Sequence, residues 1–304
     1  MARVDTEFAP LAASAAPHGP DSVTPRFRST FRQLARRNPA AAAGLALLVL
    51  MIAVAALAPW LGTRDPVQID PLQRLRPPAA HRWFGTDMYG RDVYSRTVYG
   101  TRVSVFVGAS VAVLSVTGGL LIGLVAGFNR RADAVVMRVM DGMMAIPGIL
   151  IAIALMALSR PSVRNVIGAI VIAEIPRVVR LVRGLVLSLR ERVYVEAATA
   201  TGARLPRLLL RHVLPNTVAP VVVQATYIFG AAVLIEAGLS FLGAGTPSQV
   251  PSWGNIVAEG RTVFRVAFWI ILFPGLALSA TVLSINLLGD GLRTAVDPRL
   301  ARRF

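Results

Sequence analysis

The strongest constraint in this sequence is a set of long runs that contain no charged residue. Residues 39–62, 103–128 and 266–289 carry none. A hydrocarbon layer about 30 Å thick is crossed by about 20 such residues in a helix. Within lipid, only a helix or a closed barrel pairs its own backbone groups. The expected fold is therefore all-α: a polytopic membrane protein with six transmembrane helices, near residues 39–62, 103–128, 134–159, 165–182, 217–239 and 265–289. The third run is expected to break near Pro147. The fourth is the least apolar, because Glu174, Pro176 and Arg177 interrupt it. The second carries a stripe of small residues (Gly108, Ser115, Gly118, Gly119, Gly123), which lets helices approach closely in lipid.

Composition agrees. Of 304 residues, 55% are hydrophobic and 16% charged, against about 25% charged in soluble domains. The net charge of +16 comes from 32 basic residues, all Arg. Basic residues gather in the cytoplasmic loops of membrane proteins, which explains this excess without nucleic acid. The absence of Lys excludes a Walker A motif, whose lysine reaches the nucleotide phosphates. ATP chemistry must therefore come from another subunit. The absence of Cys excludes disulfides, thiolate catalysis and Cys-bound metals. His18, His81 and His212 are far apart, so no metal site is expected. No constellation reads as catalytic.

The chain is expected to divide into a cytoplasmic tail (1–38), a first span with its external loop (39–102), a core of five spans (103–292) and a second cytoplasmic tail (293–304). Residues 1–25 are rich in Ala and Pro and read as a disordered tail. Residues 26–37 set Phe27, Phe31 and Leu34 at helical spacing among Arg, the pattern of an interfacial helix. Roughly two-thirds of the Arg fall on one side of the six crossings, which puts both termini in the cytoplasm. The loop at 183–216 falls on that same side.

Residues 196–216, EAATATGARLPRLLLRHVLPN, cannot lie in lipid. Glu196, Ala197 and Ala198 favour helix. Gly202 can take positive φ and end that helix. Pro206 suits the first turn of a second helix. Leu208, Leu209, Leu210, Val213 and Leu214 are expected on its buried side, opposite Arg204, Arg207 and Arg211. Leu214–Pro215 reads as a stop before the fifth span. The result is a rigid helix–turn–helix on one membrane face, suited to a partner's groove.

This segment resembles the EAA loop of ABC-transporter permeases of the importer type: EAA, Gly six residues after Glu196, and Leu-Pro eighteen and nineteen after it. Residues 83–105 (WFGTDMYGRDVYSRTVYGTRVSV), 140–150 (MDGMMAIPGIL), 238–261 (GLSFLGAGTPSQVPSWGNIVAEGR) and 286–300 (NLLGDGLRTAVDPRL) resemble the dipeptide/oligopeptide/nickel permeases of the "C" type. The resemblance covers residues 26–300. It implies a type I ABC importer permease fold in a bacterial inner membrane. It also implies a heterodimer with a "B"-type permease, two ATP-binding subunits that hold ATP and Mg, and an external solute-binding protein. The cargo implied is a di- or oligopeptide, with a nickel or metal chelate as the alternative. A stand-alone secondary transporter is the rival class; it would need midplane coupling acids and internal repeats. In the family the loop docks on the ATPase, which assigns coupling to Glu196, Ala197, Ala198, Thr199, Gly202, Ala203, Leu205, Leu214 and Pro215.

The remaining polar residues are read singly. Gln224 and Tyr227 share a helix face; with Asn286 and Glu174 they are the candidates for the translocation path. Asp87, Arg91, Asp92, Trp253 and Asn255 are candidates for the external mouth, although Asp87, Arg91 and Asp92 equally fit an internal ion-pair network. Asp141 and Asp290 each have an Arg one turn away, Arg138 and Arg293, and local pairing is expected. Glu236 is expected to serve helix packing.

Overall fold

The structure is a computed structural model that describes residues 38–296. The expected tails and the interfacial helix at 26–37 lie outside the described residues. Among the described residues there is no strand, and the bundle is helical throughout.

Several helices, α1, α2, α3, α5 and α9, start where a polar side chain can satisfy free N–H groups. Asn38 accepts from Ala41 N–H and Pro39 follows, opening α1 (Pro39–Leu57). Asp92 accepts from Ser95 N–H and opens α2 (Val93–Phe128). Asn129 accepts from Arg131 and Ala132 to open α3 (Arg130–Met144). After a break at Ala145–Pro147, α4 (Gly148–Ala157) leaves α3 at 86°. Proline stands at the break because its ring and missing N–H oppose a continuous helix. Ser162 caps α5 (Val163–Arg190). Two short helices, α6 (Val193–Ala200) and α7 (Leu205–Leu208), form an elbow. A π turn, Leu209–Val213, leads into α8 (Leu214–Phe241). Ser252 caps α9 (Trp253–Gly260), and α10 (Trp269–Val296) ends the described chain.

Four stretches are long and apolar enough to cross a membrane: Pro39–Trp60, Val93–Phe128, Leu205–Phe241 and Trp269–Ala295. The bent pair α3–α4 makes a fifth if it crosses as one unit. The fourth expected span forms α5, which is unbroken but carries too many charges to qualify by composition. Glu174 and Pro176 do not interrupt it as expected. Pro176 is buried inside the helix, as are the neighbouring Val178 and Val179. Neighbouring helices make such prolines tolerable in membrane bundles.

Helix α2 is the hub, packing on α5, α8 and α1, while α10 lies between α1 and α8. The α2–α5 seam depends on absent side chains. A Cβ at Gly119 would sit 2.5 Å from Val178 Cβ, one at Gly123 2.7 Å from Val182 Cβ, and one at Gly127 2.5 Å from Val186 Cβ. Three turns of α2 thus rest directly on a valine row of α5. On the other side, a Cβ at Gly108 would meet Val233 of α8 at 2.8 Å. In lipid, where apolar burial gives little drive, such close contact is what holds helices together.

Candidate functional site: the helical elbow and the buried polar groups

The elbow is shaped by a glycine. Gly202 has φ +81°, the left-handed region that suits glycine. Its N–H donates to Thr199 O and the next N–H, Ala203, reaches back to Ala198 O, both at 3.0 Å. Those two bonds close the end of α6 as a Schellman motif and turn the chain toward α7. Pro206 then stands in the first turn of α7, where its missing N–H costs nothing.

The elbow is pinned by Val195, Leu208 and Val213, all buried. Asn216 adds a polar tie, donating from Nδ2 to His212 O at 2.7 Å and to the Tyr194 hydroxyl at 3.3 Å. Glu196, Ala197, Thr199, Gly202, Leu205 and Pro215 stay exposed, while Ala198, Ala203 and Leu214 are half-buried. Val193 is 81% exposed and Leu205 48%, so the elbow offers apolar surface among the exposed Arg204, Arg207 and Arg211.

Two expectations about this segment need correction. Leu210 is not on the buried side: it is 64% exposed. Leu214–Pro215 is not a stop, because the chain continues as helix into α8. Both follow from the π turn, in which Leu214 N–H donates to Leu209 O, five residues back. The extra residue rotates Leu210 outward. The wider turn also eases the clash that Pro215 would otherwise have with the preceding turn.

The four path candidates do not form one group. Tyr227 on α8 donates from its hydroxyl to Asp290 Oδ1 of α10 at 2.6 Å. Asn286 faces the same seam, its Oδ1 3.6 Å from where a Cβ on Gly230 would stand. Gln224 is half-buried one turn before Tyr227. Glu174 belongs to α5, is buried, and accepts from Arg177 at 2.9 Å. Arg177, one turn along α5, is thus a local ion-pair partner of this path candidate. The expected local pairs of Asp141 and Asp290 are replaced: Asp141 accepts from Arg180 of α5 at 2.5 Å, and Asp290 accepts from Tyr227.

The five mouth candidates are mostly internal. Asp87 is 1% exposed. Its Oδ2 accepts from Arg91 Nε and Arg96 Nη1, each at 2.6 Å, and its Oδ1 accepts the N–H groups of Tyr89 and Arg91. Arg91 and Arg96 both also reach Glu259 of α9, Arg96 at 2.7 Å. Asp92 is the cap of α2 and holds Ser95 through both its N–H and its hydroxyl. Trp253 is fully buried and donates to Thr97 O at 3.0 Å. Asn255 is buried too, and its Nδ2 gathers the carbonyls of Thr246, Pro247 and Val250. Trp253 therefore does not open to solvent, while Asn255 keeps only an edge on the cavity beside residues 245–248; both seat α9 against the bundle. Sequence reasoning passed over Arg96 and Glu259. The signal was present in part: Glu259 is the sole acid in residues 243–264.

Glu236 lies in the interior of α8, wholly buried, and Oε1 accepts from Ser240 at 2.9 Å. Oε2 has no hydrogen-bond partner among the described residues.

An all-helical membrane bundle that holds an exposed helical elbow between two long helices is the arrangement of an ABC-importer permease. The chain belongs to the family of binding-protein-dependent transport system inner membrane components, whose pattern matches residues 119–302. Residues 26–78 match the N-terminal transmembrane domain of oligopeptide transport permease C. A probable peptide ABC transporter permease protein of Sinorhizobium fredii is 50% identical over 93% of this chain and 97% of its own length. A dipeptide transport system permease protein of Alkalihalophilus pseudofirmus is 40% identical over 90% of each chain. A glutathione transport system permease protein of Pectobacterium atrosepticum is 40% identical over 92% of this chain and 93% of its own.

Proposed function

We propose that this chain carries di- or oligopeptides across a bacterial inner membrane as one of two permease subunits in an ATP-driven importer. The observation that carries this reading is the elbow at α6–α7. It is stiffened by the Gly202 turn, fastened through Val195, Leu208 and Val213, and yet exposes Glu196, Ala197, Thr199 and Leu205. A short helix fixed to a bundle with its outer face free fits a groove on a partner protein. The peptide cargo is taken from the relatives, which are named for peptides, dipeptides and glutathione.

In this reading the second permease is of the "B" type, and two ATP-binding subunits hold ATP and Mg. The chain itself has no Lys with which to build a phosphate-binding loop. An external solute-binding protein delivers cargo. The residues on the elbow assigned to coupling are Glu196, Ala197, Ala198, Thr199, Gly202, Ala203, Leu205, Leu214 and Pro215. When the ATP-binding subunits close, they displace the elbow, and α8 moves with it because α7, the π turn and α8 form one continuous run. Gln224, Tyr227 and Asn286 then change their exposure at the α8–α10 seam, with Glu174 lining the path from α5. With α5 as the fourth of six crossings, both termini and the elbow are cytoplasmic.

The test is Gly202→Asp. The variant complex should assemble, because a Cβ at Gly202 meets nothing within 4 Å and Asp tolerates the left-handed region, but the carboxylate added to the exposed turn should abolish ATP hydrolysis that depends on loaded binding protein. Uptake equal to the parent would overturn the assignment of the elbow.

A further inference from the structure

The cavity at the end of the first span is unrelated to the elbow or to the α8–α10 seam. It holds about 200 Å³ and is lined by Gly62, Arg64, Ala80, His81, Arg82, Trp83, Asp92 and Tyr94. Gly62, at φ +68°, turns the chain back after the span so that Arg64 reaches this cavity. Neither Arg64 nor Arg82 makes an ion pair among the described residues. The one carboxylate on the wall is Asp92, whose Oδ2 accepts from both the N–H and the hydroxyl of Ser95, so two cations face one anion around the cavity. The Tyr94 hydroxyl is also occupied, donating to Leu61 O at 2.8 Å. Arg64, His81 and Arg82 line this one space, and none of their side chains makes a hydrogen bond among the described residues.

The cavity stands at the membrane boundary. The span Pro39–Trp60 has 22 residues, about 33 Å of helix at 1.5 Å each, which matches the hydrocarbon thickness. Trp60 ends it and is 79% exposed. Trp83 packs edge-on against Tyr94 at 4.8 Å and is itself 60% exposed. Arg102 reaches up to donate to the carbonyls of Ala55 and Ala56 at the end of the same span. Aromatic rings and snorkelling Arg are the markers of the headgroup layer.

We propose that this cavity binds a phosphate ester, the headgroup of an anionic phospholipid, with Arg64 and Arg82 on the phosphate oxygens and Trp83 against the glycerol and upper chain. Guanidinium groups match phosphate geometry in a two-pronged way. Phospholipid is the source favoured by position, and the bound lipid would brace the loop 61–92 on which the Asp87 network is built.

The experiment uses the full chain purified in detergent with its co-purifying subunits. Thermal unfolding is followed while dioctanoyl-phosphatidylglycerol, dioctanoylglycerol or inorganic phosphate is added. Phosphatidylglycerol should raise the melting temperature and dioctanoylglycerol should not. The Arg64→Gln/Arg82→Gln double variant should need roughly tenfold more lipid, the scale expected for loss of charge-assisted hydrogen bonds. Arg76→Gln, an exposed Arg of the same loop outside the cavity, should titrate like the parent. If the Gln variant does not assemble, the Arg64→Lys/Arg82→Lys variant retains charge without the planar fork and should bind at an intermediate level. An equal, variant-sensitive effect of inorganic phosphate would support the phosphate site but remove lipid as its source. A double variant that titrates like the parent, equal stabilisation by dioctanoylglycerol, or equal weakening by Arg76→Gln would each overturn the proposal.

Discussion

Arg96 Nη1 in the first turn of α2 lies 2.7 Å from Glu259 Oε2 on α9, although 163 residues separate them. The same nitrogen is 2.6 Å from Asp87. This pair, with Arg91, ties the loop at 61–92, the start of α2 and α9 into one unit. Arg96 is 1% exposed, so its charge depends on these partners. Glu259→Ala leaves Arg91 and Arg96 sharing Asp87 alone. Removing one member of a buried ion pair costs about 3–5 kcal/mol. The expected outcome is loss of protein from the membrane, read by immunoblot, and a lowered unfolding midpoint in detergent. Glu259→Gln, which keeps an acceptor, should be milder.

The α2–α5 seam gives a graded test. Gly119→Leu and Gly123→Leu drive a side chain into Val178 or Val182, where even a Cβ has no room. Overpacking of this kind costs about 1–3 kcal/mol or more. Gly118→Ala meets only the tip of Ile175, at 3.4 Å, and should be near neutral. Comparing unfolding midpoints of the three variants checks the order; a Gly118→Ala as harmful as Gly119→Leu would contradict the seam.

At Gly202 the space around a Cβ is open, so the cost of substitution is backbone alone. It is about 1–2 kcal/mol for an ordinary residue in the left-handed region. Asn tolerates that region better than a β-branched residue does. Gly202→Asn should therefore retain more cargo-stimulated ATP hydrolysis than Gly202→Val, with both assembling. Equal activity of the two would mean that the left-handed turn is not what matters.

Two ion pairs hold α3 to α5, and exposure separates them. Asp133 receives both Nε and Nη2 of Arg183, at 2.5 and 2.7 Å, with both side chains partly buried. Asp141 receives Arg180 with both side chains half exposed. Exposed pairs contribute about 0–1 kcal/mol, while two-pronged, shielded ones exceed that. Asp133→Asn should speed hydrogen exchange in α3 measurably, and Asp141→Asn should leave it unchanged.

What the sequence made readable was local. The break at Pro147 and the left-handed turn at Gly202 each depend on neighbours within a few residues. What escaped depends on chain segments brought together by folding. Asp141 had Arg138 one turn away but pairs with Arg180, because α3 lies against α5. Pro176 looked like a break, yet the helix passes through it in a buried setting. Trp253 and Asn255 sit in a stretch rich in Pro and Gly, the composition of a loop, and are buried because α9 packs onto α8 and α10. The π turn at Leu209–Val213 had no composition of its own; its effect was visible only as the outward rotation of Leu210.

From Leu205 to Phe241 the backbone runs as 37 helical residues, with the widened turn and the interior Pro220 as its irregularities. In the proposed coupling, a displacement of the elbow is carried along this run to Tyr227 and, farther along, to Glu236. The turn at Leu209–Val213 sets the register of that run: a single residue more or fewer there would re-aim every side chain beyond it.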